Sequence, residues 1–410
     1  MMLISRFPVG PDLSVADVLG SLAAPVPDGP LTVGDDRVVD FLAGFARRLL
    51  APALARRYPE LGSLGFFLRR GELRRAVTGL ASTDEVLVFP RGMVFHVPPA
   101  NVDTIFVYSW ALSALAGNPN VVRVSARAAG AATAVLDALN EALADAHPAI
   151  ARTQRMVTYG RDDATTAALS AACDLRVIWG GDASVRAIRA HPLAPRARDV
   201  TFPDRSSFAA LSVPGWAGLS PDARRGGVAG FANDAYWFDQ AACASPRTLF
   251  LVGGTSSAAA AAREEFVALL VAEVAARGWD VDPAMAVEKR VATYGLAASG
   301  VATHLDFATN AVALATLAPA APVARTWLGA GTFPVAALDS LSSLIPLLSR
   351  RDQTLSHLGF PPTELHDFAR ALGGRGIDRI VPFGRALTFG AIWDGYDLLH
   401  EFTRRTTLVR

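Results

Sequence analysis

The chain has 410 residues, 51% of them hydrophobic and 19% charged, with a formal net charge of +1 at pH 7. That balance excludes disorder, which needs low hydrophobicity with high net charge, and leaves ample apolar material for a large core. It also argues against a nucleic-acid partner, which a basic excess would announce. Two cysteines, Cys173 and Cys243, cannot make a disulfide framework or a four-thiolate zinc site, so no metal is expected.

At roughly 150 residues per domain, two or three lobes are expected. Mean hydropathy is +0.29. The longest uncharged runs, 104–122 and 307–324, are broken by Ser, Asn and Pro or built from Ala, Thr and Pro. Neither reads as a bilayer span of ~20 mostly apolar residues. The N-terminus lacks a basic stretch followed by a long apolar one, so the expectation is a cytoplasmic protein with no membrane partner.

In chain order, residues 1–75 read as an irregular entry followed by helices. Asp35 and Asp36 open one that runs through Phe41, Leu42, Phe45 and Leu49 at helical spacing. Residues 93–97 read as a strand ended by Pro98 and Pro99. A helix over 102–116 follows, with Gly117-Asn118 as its stop. Strands are then expected at 120–125, 156–159, 176–179 and 200–202, separated by helices. Strand and helix in alternation imply parallel pairing through right-handed crossovers, hence a doubly wound α/β sheet. A second α/β block starts near 236, with a strand at 248–252, a Gly253-Gly254 turn and a long helix at 256–277. Residues 361–370 read as a helix and 379–383 as a strand.

There is no P-loop, no Gly-x-Gly-x-x-Gly, no His-Glu-x-x-His and no Gly-x-Ser-x-Gly. Cys243 lies just ahead of a strand among small residues, where there is room for an acyl group, with Arg247 four residues on. A buried structural cysteine is the competing reading, and the favoured one for Cys173. Asn101 is either the cap of its own helix or an oxyanion donor. His96 reads as a bonded core residue. Arg123 and Arg127 flank the end of a strand, where they either meet a ribose or phosphate or face solvent.

Several ordered segments then add up. They are Val94-Phe95-His96-Val97-Pro98-Pro99-Ala100-Asn101, Tyr108-Ser109-Trp110, and Leu115-Ala116-Gly117-Asn118-Pro119-Asn120-Val121-Val122-Arg123. With them go Trp179-Gly180-Gly181-Asp182, Cys243-Ala244-Ser245-Pro246, residues 378–387, and Trp393-Asp394-Gly395-Tyr396-Asp397. Together they resemble the acyl-CoA reductase (LuxC-like fatty-acid reductase) family, a branch of the aldehyde dehydrogenase superfamily, over about 85–400. The resemblance implies an aldehyde-dehydrogenase-like fold: a helical region over 1–75, a dinucleotide-binding domain over 76–235, a nucleophile-bearing domain over 236–370, and a C-terminal segment over 371–410 returning to the domain interface.

The resemblance also assigns residues. Cys243 falls at the nucleophile and Asn101 at the superfamily's oxyanion asparagine. Pro98 falls in the cofactor-facing loop, and Arg123 at the place of a ribose-contacting lysine. Gly180 and Gly181 fall at the turn that approaches the pyrophosphate. After Arg123 the sequence runs Val124-Ser125-Ala126-Arg127, without the acid that often binds the ribose hydroxyls of NAD. Ser125 and Arg127 therefore suit a 2′-phosphate, and NADPH is expected, with NADH the alternative. Two departures stand out. No Glu occurs near Phe202-Pro203-Asp204-Arg205, where oxidising relatives keep the residue that activates water. A later Glu-x-Phe-Gly-Pro is replaced by Gly331-Thr332-Phe333-Pro334-Val335.

The implied activity is NAD(P)H-dependent reduction of an acyl thioester, on coenzyme A or a carrier protein, to an aldehyde through a cysteine acyl-enzyme. The alternatives are an aldehyde dehydrogenase, an acyl-phosphate reductase, or a non-catalytic acyl-channelling partner. A homo-oligomer and a multienzyme complex both remain open as assemblies.

Overall fold

The computed structural model describes residues 2–99, 105–126, 130–319, 321, 323 and 325–409. The chain divides into two compact units, Met1–Asp204 with Phe389–Arg410, and Arg205–Thr388.

Unit 1 holds strands β1 (Ile4–Phe7), β2 (Val86–Pro90), β3 (Val94–Val97), β4 (Asn120–Arg123), β5 (Gln154–Thr158), β6 (Leu175–Trp179) and β7 (Arg198–Phe202). Its main sheet has the order β1-β5-β4-β3-β6-β7. All pairs are parallel except β1 with β5. From β3 the chain winds outward to β5, then returns past β3 to β6 and β7. That is the doubly wound α/β fold expected from the sequence.

The central strands are buried on both faces, so they read as short apolar runs rather than alternating ones. Helix Ile105–Leu115 is buried at every position, which is why it is apolar all round. It ends at Gly117, where φ is +85° and a Cβ would come 2.8 Å from the Thr32 carbonyl oxygen. Only glycine fits that turn. The expected helix Asp36–Leu49 forms, capped by Asp35, whose side chain accepts from the Arg37 N–H. The C-terminal strand Thr403–Thr407 pairs antiparallel with β2.

Unit 2 holds β8 (Ser206–Ser212), β9 (Pro246–Val252), β10 (Ala302–Phe307), β11 (Ala313–Leu317), β12 (Thr332–Leu338), β13 (Asp352–Leu358) and β14 (Arg379–Pro382). They form one sheet in the order β10-β11-β12-β9-β8-β13-β14, parallel apart from β10. One face packs Leu211, Leu249, Phe231, Phe266 and Phe333. The other packs Phe208, Phe250, Leu344, Leu355 and Phe368.

The chain passes from one unit to the other at 204/205, and the break expected near 235 falls instead at the end of helix Pro221–Tyr236, inside unit 2. Strand β8 is the reason: it pairs with β9 and β13 and so belongs to the second sheet. The return to unit 1 begins at Phe389 rather than 371, because β14 is an edge strand of unit 2.

Candidate active site

In an open sheet of this order, ligands sit beyond the carboxyl ends of the strands where the winding reverses, here between β3 and β6. Pro98 follows β3, Arg123 ends β4, and Gly180 follows β6. β4, β3 and β6 are neighbours, so Pro98, Arg123, Gly180 and Gly181 share one edge of unit 1. Gly180 has φ +152°, a conformation that disfavours side chains, and Gly181 precedes helix Asp182–Arg189 without a side-chain cap. Two successive glycines let another group approach this backbone closely. The turn is braced by Asp204, two residues past β7. The Asp182 N–H donates to Asp204 Oδ2 at 3.0 Å, and the Asp204 N–H donates to Asp182 Oδ1 at 3.2 Å.

Arg123 lays its guanidinium 4.6 Å from the Tyr159 ring centre and donates to the Gly160 carbonyl at 3.1 Å. Ser125 is half-buried just past β4. Asn101 and Arg127 lie outside the described residues. The aromatic residues of three of the motifs converge in unit 1. Tyr108 lies 6.3 Å from Trp179 and 5.6 Å from Trp393, while Phe202 stacks on Trp179 at 3.6 Å and meets Tyr396 at 5.5 Å. His96 is fully buried and bonded to Ser109 and Asn120, a core residue rather than an acid or base.

Cys243 lies in unit 2, half-buried in the turn that feeds β9. Two buried side chains pin that turn. The Ser207 hydroxyl donates to the Cys243 carbonyl at 2.7 Å. The Gln240 amide donates to the Pro246 carbonyl at 2.9 Å and the Thr332 carbonyl at 3.2 Å, and its oxygen accepts from the Thr332 N–H at 3.3 Å. Asp239 and Gln240 both have positive φ, +49° and +60°, so the backbone before the cysteine adopts a conformation side chains resist. Arg247 directs its Nη1 to the Arg325 carbonyl at 2.6 Å. Cys173 is a different case. It is fully buried, and burial pushes its thiol up to about 12, which leaves it unreactive.

The departure at 331–335 has a steric basis. Gly331 has φ +68°, and a Cβ there would lie 1.8 Å from the Ala311 carbonyl oxygen, so no glutamate can occupy the position. Phe333 is packed against Phe231 and Tyr236 in the core. Behind this segment lies Lys289, the one lysine in the sequence. It is buried, donates to the Asn310 and Ala330 carbonyls at 2.8 and 2.7 Å, and is lowered to about 8 by desolvation. Ser207, Gln240 and Lys289 carry no local sequence signal, because each has a backbone partner far along the chain, at Cys243, Thr332 and Ala330. Among the described residues no group of three His, Cys, Asp or Glu side chains could hold a metal, and no helix is long and apolar enough to cross a membrane.

A family model described as acyl-CoA reductase (LuxC) matches residues 82–405. The chain belongs to the acyl-CoA reductase (LuxC) family. It is thus an oxidoreductase. No curated protein sequence matches it. Solved aldehyde dehydrogenases share the fold at low identity. Aldehyde dehydrogenase 21 from Physcomitrella patens, in complex with the reaction product succinate, is 12% identical with a TM-score of 0.69, covering 97% of this chain and 90% of that one. An aldehyde dehydrogenase from Brucella melitensis biovar abortus 2308 is 14% identical with a TM-score of 0.66, covering 100% and 93%. An indole-3-acetaldehyde dehydrogenase complexed with NAD+ is 12% identical with a TM-score of 0.61, covering 100% and 92%.

Proposed function

We propose that this acyl-CoA reductase family member converts an acyl thioester to an aldehyde through an acyl-enzyme on Cys243, with NADPH as reductant. The observation that supports the reading is the turn ahead of β9, where half-buried Cys243, which the sequence resemblance puts at the family's nucleophile, is held by Ser207 and Gln240. The Cys243 thiolate attacks the thioester carbonyl, and the carrier thiol leaves. Forming a covalent intermediate divides one hard step into two easier ones. Asn101, at the superfamily's oxyanion position, and the Cys243 N–H are the proposed donors to the developing oxyanion. The nicotinamide cofactor, when bound, supplies the hydride that brings the acyl group to the aldehyde level.

Pro98, Gly180 and Gly181 are proposed to face that cofactor, with Arg123 at its ribose. Ser125 and Arg127 are proposed to favour a 2′-phosphate, since a guanidinium binds it where an acid would repel it. Hydrolytic release, as in an aldehyde oxidiser, is disfavoured. Asp204, the carboxylate nearest the missing glutamate, already accepts from the Asp182 N–H.

The test is a panel of acyl-coenzyme A and acyl-carrier thioesters with NADPH and NADH, followed by cofactor absorbance and aldehyde trapping. Consumption with a thioester, faster with NADPH and with that preference narrowed in Arg127→Ala, is expected. Turnover with acyl phosphates alone, or aldehyde oxidation alone, would contradict the reading. An unchanged cofactor ratio in Arg127→Ala would remove that residue from the cofactor site.

A further inference from the structure

Ser207 is wholly buried in β8, and its hydroxyl is used twice. It accepts from the Thr354 N–H of β13 at 3.1 Å and donates to the Cys243 carbonyl at 2.7 Å. A backbone N–H can only donate, so the one hydroxyl proton is committed to Cys243 and the rotor is fixed. Both neighbouring strands are irregular at this point. Register shifts between Ser207 and Phe208 along the β9 pairing, and between Asp352 and Leu355 along the β13 pairing. A bulge leaves backbone groups out of the ladder and re-aims the residues beside it. On the β13 side the Ser207 hydroxyl takes up one such group, the Thr354 N–H, and with its own proton it reaches the turn ahead of β9 at the Cys243 carbonyl. The neighbouring hydroxyls of Ser206, Ser245 and Thr354 are buried without a hydrogen-bond partner, so this bridging is particular to Ser207.

We propose that Ser207 is a positioning residue for the Cys243 thiol. The proposal rests on the reading of Cys243 as nucleophile. Fixing the Cys243 carbonyl fixes the backbone rotation at Cys243, and with it the direction of the Cα–Cβ bond that carries the sulfur. An attacking atom displaced by about 1 Å loses roughly 100-fold in rate. The hydroxyl thus acts on chemistry without touching substrate.

The experiment measures the rate of Cys243 acylation by an acyl-coenzyme A in quenched single turnovers read by intact mass, for wild type, Ser207→Ala, Ser207→Thr and Ser206→Ala. Ser207→Ala should acylate roughly 10- to 100-fold more slowly, with KM within about twofold of wild type. Ser207→Thr, which keeps the hydroxyl, should recover most of the rate. Ser206→Ala, which removes an unbonded neighbour, should match wild type. Wild-type acylation in Ser207→Ala with only a lower melting temperature would overturn the positioning role. Equal slowing in Ser206→Ala and Ser207→Ala would assign the effect to general packing and overturn it too. Absence of any adduct at Cys243 in wild type would instead sink the underlying reading of the nucleophile.

Discussion

His96 is buried at every atom, and its hydrogen bonds select its tautomer. Asn120 spends its amide N–H groups on Asn118 and Gln154, so its oxygen accepts from His96 Nε2–H at 2.9 Å. The other ring nitrogen, Nδ1, then accepts from the Ser109 hydroxyl at 2.9 Å. Burial lowers the imidazole to about 4. A pKa depressed in the folded state gives stability that is full above the unfolded value of 6.5 and is lost as pH falls toward 4. The difference in unfolding free energy between wild type and His96→Gln should therefore shrink by up to about 3 kcal/mol from pH 7 to pH 4. Denaturant melts at several pH values check this, and a difference that does not change with pH would show that His96 takes up its proton in the fold as readily as in the unfolded chain. The same bonds explain why a histidine in a strand motif has no catalytic task here.

Elements explain which parts of the site were legible. The strand ends carrying Pro98, Arg123 and Gly180 follow from short apolar runs ended by Pro, Arg and Gly, signals that are local in sequence. β8 gave no such signal: all seven of its residues are buried, it opens with Ser206-Ser207, and nothing alternates. Helix Pro221–Tyr236 was equally hidden. It carries Gly226, Gly227 and Gly230, poor helix formers, and Gly230 is required because a Cβ would meet the Phe383 carbonyl oxygen at 2.9 Å. Near its end Asp234 accepts from the Gly384 and Ala386 N–H groups at 2.7 and 3.0 Å, which accounts for the motif at 378–387 by backbone anchoring. Tertiary contacts of this kind leave no periodicity to read. The segment entering β12 offers a direct check. Gly331→Ala would combine positive φ with a Cβ 1.8 Å from the Ala311 carbonyl oxygen. It should cost about 3 kcal/mol or more in chemical denaturation, the sum of backbone strain and overpacking. A loss below about 1 kcal/mol would mean that the Ala311 loop yields easily.

At the scale of the molecule, unit 1 is discontinuous: its last 22 residues, Phe389–Arg410, follow all of unit 2. Sequence order concealed this, because only the resemblance suggested that the end of the chain returns. The returning segment buries Trp393, Leu398, Leu399 and Phe402, stacks Phe389 on Tyr108 at 4.8 Å, and adds the strand that pairs with β2. Each such side chain contributes roughly 1.5–3 kcal/mol. Their sum is comparable with the ~5–15 kcal/mol that holds a whole domain folded. A chain truncated after Thr388 should lose cooperative melting of unit 1, seen as protease sensitivity across 2–204. A truncated chain as protease-resistant as the full one would show that unit 1 is complete without the segment. The central claim is that Cys243, and not Cys173, carries the acyl group. Its most direct test is intact mass and peptide mapping after incubation with an acyl thioester and no reduced cofactor. An adduct on Cys243, retained in Cys173→Ser and lost in Cys243→Ser, is predicted; an adduct that persists in Cys243→Ser would contradict it.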